Sequence, residues 1–329
     1  MMRVLGVLAV GVLLALGVAV LVGCALAWVY PQARVRLLRL EPGRASAFLL
    51  GISLVPWIIG FLSVLVCLLP PQLSGLNPSL DHCLEHGGHP HLCLTHGHWQ
   101  PTLSGLFLIM GLITCVTVPL LRFLWAYRNG RRSLSAMLAL GAPDQGFLRL
   151  KVEQPLAFTT GIVRPQVCLS EGLLNTLPAH HLAVVLAHEQ AHQRRLDGLR
   201  LLLAEATTLI MPPQFRTQLL GDLLQTTEQA CDEGASHHMG DSLVVAEALL
   251  AASRLHLGAW PGLWRSLPAF GGGHLRPRID ALLNPAPTFH AWWAGARILP
   301  VSLLLLGLLA ALSGEVHHAL ESLLGLLSH

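Results

Sequence analysis

Charged side chains are scarce in this chain of 329 residues. Asp, Glu, Lys and Arg together make up only 12 % of it, against 53 % hydrophobic residues. A soluble enzyme needs a larger charged surface, so the composition indicates a membrane protein. The net charge of +3 is too small to indicate a nucleic-acid partner, and we find no phosphate-binding Gly motif, nucleic-acid motif or internal repeat. We therefore expect no direct binding of nucleic acid.

Long apolar segments predict membrane-spanning helices, because a bilayer requires about 20 such residues. Four segments qualify: 4–30, 47–69, 103–125 and 292–312. A buried core helix is the alternative for each of them. The first also contains Leu21-Val22-Gly23-Cys24, which resembles the cleavage site of a bacterial lipoprotein signal. The apolar run continues to Val29 and is followed by four arginines, which favours a retained span.

The arginines predict the orientation of these spans. Four follow the first span (Arg34, Arg36, Arg39 and Arg44) and four lie at the end of the third (Arg122, Arg128, Arg131 and Arg132), whereas the loop 70–101 has neither Lys nor Arg. By the positive-inside rule, both termini and this loop lie outside the cytoplasm. We expect a multi-pass protein of the bacterial inner membrane, in contact with the lipid bilayer. Its segments are 1–46 (first span and Arg-rich loop), 47–127 (second and third spans), 128–291 (cytoplasmic domain), 292–313 (fourth span) and 314–329 (short outer tail).

An H-E-x-x-H motif lies within the predicted cytoplasmic domain, at His188-Glu189-Gln190-Ala191-His192. On a helix, positions i and i+4 share a face, so His188 and His192 can bind one metal ion, typically zinc. Glu189 lies beside that ion, where it can take a proton from the attacking water. The motif predicts a hydrolytic zinc site.

A catalytic zinc ion held by two histidines needs a third protein ligand. Glu228 and Asp232 are four residues apart in a helical-looking segment, so their carboxylates share a face. Glu228 could complete the site, and Asp232 could orient a ligating histidine through its other ring nitrogen. The alternative is that both are solvated acids on an ordinary helix.

The order of these elements resembles that of the BlaR/MecR type of integral membrane zinc metallopeptidases, which are gluzincins best known as β-lactam sensor-transducers. The similarity comprises a Gly-turn-Pro hairpin at 157–170, the motif helix with its basic, Asp-ended extension at 188–197, the Pro212-Pro213 break, the acidic segment 228–233 and the segment 278–283. The resemblance implies one catalytic Zn²⁺ held by His188, His192 and Glu228, with Glu189 as general base and Asp232 as partner of a ligating histidine. It also implies a mainly α fold: four transmembrane helices and a cytoplasmic gluzincin-like zinc peptidase domain with a small β-sheet.

Two further expectations concern the substrate. In related peptidases an edge strand holds an extended substrate by strand addition, and here we expect that strand to comprise Gln166, Val167, Cys168, Leu169 and Ser170, unless it serves only for packing. An oxyanion-stabilising tyrosine is not expected, because the only tyrosines, Tyr30 and Tyr127, lie at predicted membrane edges. The sequence leaves five candidates for that role: His237, His238, His274, Arg276 and Arg278.

The chain departs from the β-lactam receptors beyond the fourth predicted span. Those receptors carry a penicillin-binding sensor domain there, whereas this sequence has only residues 315–329 and nothing that resembles an acylation site. A different input is offered by the outer loop, which contains His82, Cys83, His86, His89, His91, Cys93, His96 and His98. This density of imidazole and thiol suits Zn or Cu ions, or a pH switch. The alternative is a loop closed by a Cys83–Cys93 disulfide with incidental histidines.

The sequence thus predicts a membrane zinc endopeptidase that cleaves a cytoplasmic protein. The resemblance to the BlaR/MecR type implies a role in signal transduction, by cleavage of a transcriptional repressor or of the protein itself. One alternative is a quality-control membrane peptidase of the HtpX or CAAX-prenyl-protease kind. Another is a non-catalytic, metal-sensing transducer. Glu189 favours catalysis, because a structural zinc site has no use for a general base and usually closes with a fourth protein ligand.

Overall fold

The computed structural model describes residues 2–73, 103–139, 141–144, 146–255 and 275–285. The His- and Cys-rich part of the outer loop, the fourth predicted span and His274 lie outside the described residues.

Three long helices precede the motif domain: α1 (Met2–Leu37), α2 (Pro42–Leu73) and α3 (Leu103–Leu138). Two stretches, Gly11–Leu37 in α1 and Pro42–Leu65 in α2, are long and apolar enough to cross a membrane. Large apolar side chains lie exposed along them, among them Trp28 at 75 % and Phe61 at 67 %. The third predicted span coincides with the first part of α3, which is not one of these two stretches. Two of the four predicted spans therefore correspond to candidate membrane helices in the described part of the chain.

A small mixed sheet of four strands follows, as expected. The strands are β1 (Gly141–Asp144), β2 (Phe147–Leu150), β3 (Ala157–Thr160) and β4 (Gln166–Ser170), arranged in the order β1-β2-β4-β3. Strands β3 and β4 form the antiparallel hairpin, and β2 runs parallel to β4. Gly161 ends β3 with a φ of 113°, and a Cβ there would lie 2.7 Å from the carbonyl oxygen of Arg164, so the turn requires glycine.

The rest of the described domain is helical, which confirms the mainly α class. The elements are α4 (Glu171–Thr176), α5 (Ala179–Arg195), α6 (Asp197–Thr207), a 3₁₀ turn (Thr208–Ile210), α7 (Pro213–Met239), α8 (Ser242–Arg254) and α9 (Leu275–Leu283). Ser170 ends β4 and caps α4, because its Oγ accepts a hydrogen bond from the Leu173 N–H. Leu196, at a φ of 55°, separates α5 from α6 and redirects the chain.

Two apolar cores hold these elements together. The first joins the sheet to α5 and α8 through residues such as Leu169, Val185 and Leu249. The second joins α1 and α2 to α6 and α7, and its buried members include Tyr30, Leu49, Leu201, Phe215 and Leu219. Each fully buried side chain of this size stabilises the fold by about 1.5–3 kcal/mol. The two apolar helices therefore pack directly on α6 and on α7, the helix that carries Glu228.

Candidate metal centre

Helices α5 and α7 bring the predicted ligands together. His188, His192 and Glu228 are each at most 1 % exposed. The two Nε2 atoms lie 3.1 Å apart. The Nε2 of His188 lies 3.6 Å from Oε2 of Glu228, and the Nε2 of His192 lies 3.6 Å from Oε1. These three residues could hold a metal ion, since their ligand atoms lie within 4.8 Å of one another.

The geometry and the chemistry of these residues fit a divalent cation. A tetrahedral zinc ion with bonds of 2.0–2.1 Å keeps its ligand atoms about 3.3 Å apart, close to the separations found here. Within the part of the chain that the structure describes, Oε1 of Glu228 and Oε1 of Glu189 are buried and have no hydrogen-bond partner. A buried carboxylate oxygen without a partner is costly, and a bound cation would satisfy it.

Each histidine is oriented by an aspartate. Nδ1 of His188 lies 3.0 Å from Oδ1 of Asp232, and Nδ1 of His192 lies 2.9 Å from Oδ2 of Asp197. An Nδ1–H that donates to a carboxylate leaves the Nε2 lone pair for a metal. The spacing of Glu228 and Asp232 predicts the first pair. Sequence reasoning missed the second, although Asp197 ends the basic extension of the motif helix.

Arg278, on α9, carries the positive charge that faces the carboxylates of Asp232 and Glu228. Its Nε and Nη2 donate to the two oxygens of Asp232 at 2.7 and 2.6 Å, and its Nη1 lies 3.0 Å from Oε2 of Glu228. Burial favours the protonated form of Asp232, but Arg278 and His188 outweigh it and lower the pKa of Asp232 to about 2. The pKa of Glu228 is also lowered, with Arg278 opposing the effect of burial. Arg278 is thus engaged by acidic partners, which does not suit the role of oxyanion stabiliser.

Glu189 is buried beside the ligands and is held by the sheet. The Thr159 hydroxyl, on β3, lies 2.7 Å from Oε2 of Glu189 and 2.9 Å from its main-chain oxygen, and its single proton can be donated to either. Burial raises the pKa of Glu189 above its ordinary value, although the nearby histidines His192 and His188 oppose this shift. A more basic carboxylate is better suited to accept a proton. Nothing in the sequence pattern pointed to Thr159.

A second cluster, His192, Asp197 and Cys231, also has convergent ligand atoms. Nδ1 of His192 lies 3.2 Å from the Cys231 sulfur and 2.9 Å from Asp197. Two arginines, Arg195 and Arg200, already contact the carboxylate of Asp197. This cluster therefore suits a cation less well than the first one does.

The predicted edge position of strand 166–170 is wrong over Cys168–Ser170. Cys168 and Leu169 pair with β2 on one side and with β3 on the other. Ser170 pairs with β2 and donates its main-chain N–H to the carbonyl oxygen of Leu156, so no edge is free there for strand addition. The edge of the sheet nearest to Glu189 is instead β3. Among the other oxyanion candidates, His237 and His238 are exposed at the end of α7 and Arg276 is exposed on α9. The structure does not bring these three to the cluster.

Comparison with known proteins gives one finding. Residues 130–257 match the model of peptidase family M48. This segment runs from the end of α3 through α8 and includes the motif helix and Glu228, whereas α9 with Arg278 lies beyond it. The match supports the M48 metallopeptidase family and indicates a hydrolase; the BlaR/MecR type stays a prediction. No curated protein and no solved structure matches the chain.

Proposed function

We propose that this protein is a membrane-bound zinc endopeptidase that hydrolyses peptide bonds of a cytoplasmic protein. One observation carries the proposal: a buried carboxylate, Glu189, lies beside a cluster of three ligand atoms from His188, His192 and Glu228 and takes no part in that cluster. The M48 match over 130–257 supports the same class of activity.

The residues divide the chemistry among themselves. A bound zinc ion would supply a Lewis acid and lower the pKa of water toward neutrality. His188, His192 and Glu228 would hold it, with Asp232 and Asp197 fixing the two imidazoles. Thr159 contacts Oε2 of Glu189, whereas Oε1 is buried without a hydrogen-bond partner among the described residues. We therefore assign to Oε1 the proton of the attacking water, which Glu189 returns to the leaving amine.

A non-catalytic transducer is less well supported. A purely structural zinc site closes with a fourth protein ligand and has no use for a base. Here Glu189 is instead turned toward Thr159, and burial raises its pKa. This arrangement favours catalysis.

We place the protein in the bacterial inner membrane, with both termini outside and the catalytic residues on the cytoplasmic side. The two apolar helices and the arginine distribution support this placement. We propose a role in signal transduction by cleavage of a repressor or of the protein itself, and a metal ion or proton as the signal at the outer loop. The alternative is quality control of membrane proteins, in which loss of the enzyme causes envelope stress instead of a specific regulatory defect.

Replacement of the base tests the proposed activity. Glu189→Gln keeps the shape of the side chain and should abolish cleavage while the metal content stays at the wild-type level. Glu247→Gln, at an exposed position of α8, is the matched control and should keep both the cleavage activity and the metal content of wild type. Cleavage of a fluorescently labelled unstructured protein and of the chain itself would be followed in detergent. Turnover retained by Glu189→Gln would remove Glu189 as the base.

A further inference from the structure

We propose that Ser46, near the start of α2, is a positioning residue for the metal ligand His192 and acts through Arg195, Arg200 and Asp197. The proposal rests on the proposed function, because it takes His192 as a ligand. It goes further by making the metal centre depend on the second of the two apolar helices.

The hydroxyl of Ser46 joins the two arginines. Its Oγ accepts hydrogen bonds from Nη2 of Arg195 at 2.9 Å and from Nη2 of Arg200 at 3.0 Å. The same hydroxyl donates to the main-chain oxygen of Gly43 at 2.9 Å. A hydroxyl has one donor and two acceptor sites, so every site of Ser46 is used. The residue is completely buried, so water cannot replace these partners without a local opening.

The other ends of the two guanidinium groups hold Asp197. Nε of Arg195 lies 3.2 Å from Oδ2 of Asp197, and Nη1 of Arg200 lies 2.9 Å from Oδ1. The four side chains therefore form a closed ring, which fixes the plane of the carboxylate. Nδ1 of His192 lies 2.9 Å from Oδ2 of Asp197, so the imidazole follows the orientation of that plane.

The ring is needed because Asp197 lies on a different helix from His192. The chain turns at Leu196, in the left-handed conformation, before α6 begins at Asp197. The side chains of Arg195 and Arg200 remain 24 % and 18 % exposed, so without the Ser46 acceptor each could turn toward solvent. The carboxylate of Asp197 would then lose its fixed orientation. The imidazole of His192, which contacts this carboxylate, would lose its own orientation as a consequence.

Ser46 comes from a distant part of the sequence, 149 and 154 residues before the two arginines. It lies within the apolar stretch Pro42–Leu65. A shift of α2 relative to α5 and α6 would break both hydrogen bonds at once. Such a shift gives a direct route by which an event in the membrane lowers the metal affinity of the active centre.

The test compares two serines of α2 in the full-length protein in detergent. Ser53 is also completely buried, but its hydroxyl donates only to Leu50 O in its own helix at 2.7 Å, so Ser53→Ala controls for the loss of a buried hydroxyl. Co²⁺ would replace zinc, with its affinity measured by chelator competition and its ligand geometry by the visible spectrum. Loss of a group that orients a ligand weakens metal binding about 10–100-fold. We expect Ser46→Ala to bind Co²⁺ about tenfold more weakly than wild type and to show an altered visible spectrum. Ser53→Ala should match wild type in both affinity and spectrum.

Three results would overturn the proposal. The first is an affinity and spectrum of Ser46→Ala equal to wild type. The second is an equal loss in Ser53→Ala, which would assign the effect to packing of α2. The third is Co²⁺ binding by Ser46→Thr that is as weak as that of Ser46→Ala, although the threonine keeps the hydroxyl. The variant His188→Ala separates this proposal from the proposed function. If His188→Ala binds Co²⁺ as wild type does, the metal centre itself is refuted. If His188→Ala abolishes Co²⁺ binding while Ser46→Ala binds as wild type does, only the positioning role of Ser46 is refuted.

Discussion

Two buried glutamates, Glu228 and Glu189, lie near the two histidines of the motif and have different surroundings. Glu228 has both oxygens near the imidazoles and one near Arg278, and its pKa is lowered. Glu189 accepts a hydrogen bond from Thr159, and burial raises its pKa. The first environment suits an anionic ligand and the second suits a base. The distinction between the two roles therefore comes from neighbours on other elements.

The hydroxyl of Thr159 should matter for turnover but not for metal binding. Thr159→Val keeps the shape of the side chain and leaves Glu189 without its hydrogen bond. We expect kcat to fall at least about tenfold, because a displaced base loses part of the 10²–10⁴-fold that general base catalysis supplies. KM and metal content should change little. Thr160→Val, at the next buried position of β3, is the control; equal losses in both variants would contradict a specific role for Thr159.

Arg278 should be required for stability, and its neighbour Arg276 should not. Arg278→Gln leaves Asp232 and Glu228 buried without their cation, and removal of one partner of a buried pair costs about 3–5 kcal/mol. Arg276→Gln changes a side chain that is 93 % exposed on the same helix and should leave stability unchanged. Denaturant unfolding of the metal-free proteins would measure the free energy of unfolding of both variants. Equal stability of the two variants would show that the Arg278 contacts contribute nothing.

The ligand residues were predictable because they share helices. His188 with His192 and Glu228 with Asp232 are each four residues apart, and helical periodicity alone places each pair on one face. Asp197 is the first residue of α6, Thr159 lies on strand β3, and Ser46 lies on the distant helix α2. Their roles depend on tertiary contacts, for which a single sequence carries no local signal.

At the scale of elements, the resemblance of 157–170 to the hairpin of membrane gluzincin peptidases implied the β3–β4 hairpin, but not its place in the sheet. Strand β2 comes from 147–150 and joins β4 in parallel, a pairing between segments that are not adjacent in the chain. This pairing removes the free edge that strand addition at Cys168–Ser170 would need. The hairpin was therefore predictable by resemblance, whereas the strand order depended on a non-local contact.

Helix α7 carries Glu228, and one of its side chains is also tied to α1. Oδ2 and Oδ1 of Asp222 accept hydrogen bonds from Arg34 at 2.6 and 2.7 Å, and Tyr30 donates to Oδ2 at 2.7 Å. Asp222→Asn should lower the free energy of unfolding by about 1–2 kcal/mol, a value reduced by the partial exposure of Arg34. Glu247→Gln is the exposed control. Unchanged unfolding of Asp222→Asn would mean that this contact does not fasten α1 to α7.

At the scale of the whole molecule, the two apolar helices pack on α6 and α7, the second of which carries the proposed ligand Glu228. Composition predicted spans because hydrophobic length is a property of the sequence alone. It could not predict that Phe215 and Leu219 of α7 pack with Tyr30 of α1 and Leu49 of α2, since an apolar side chain does not specify its neighbour. The same packing lets Ser46 reach Arg195 and Arg200, near the proposed ligand His192.

The most direct test of the metal centre is the zinc stoichiometry of the detergent-purified protein, measured beside His188→Ala, Glu228→Ala and the exposed control Glu247→Gln. If His188, His192 and Glu228 hold one catalytic zinc ion, wild type and Glu247→Gln should contain one more tightly bound zinc per chain than either ligand variant. Zinc at the outer loop would add equally to all four proteins and would leave this difference intact. An equal zinc content in all four, or no zinc in wild type after reconstitution, would contradict the metallopeptidase account.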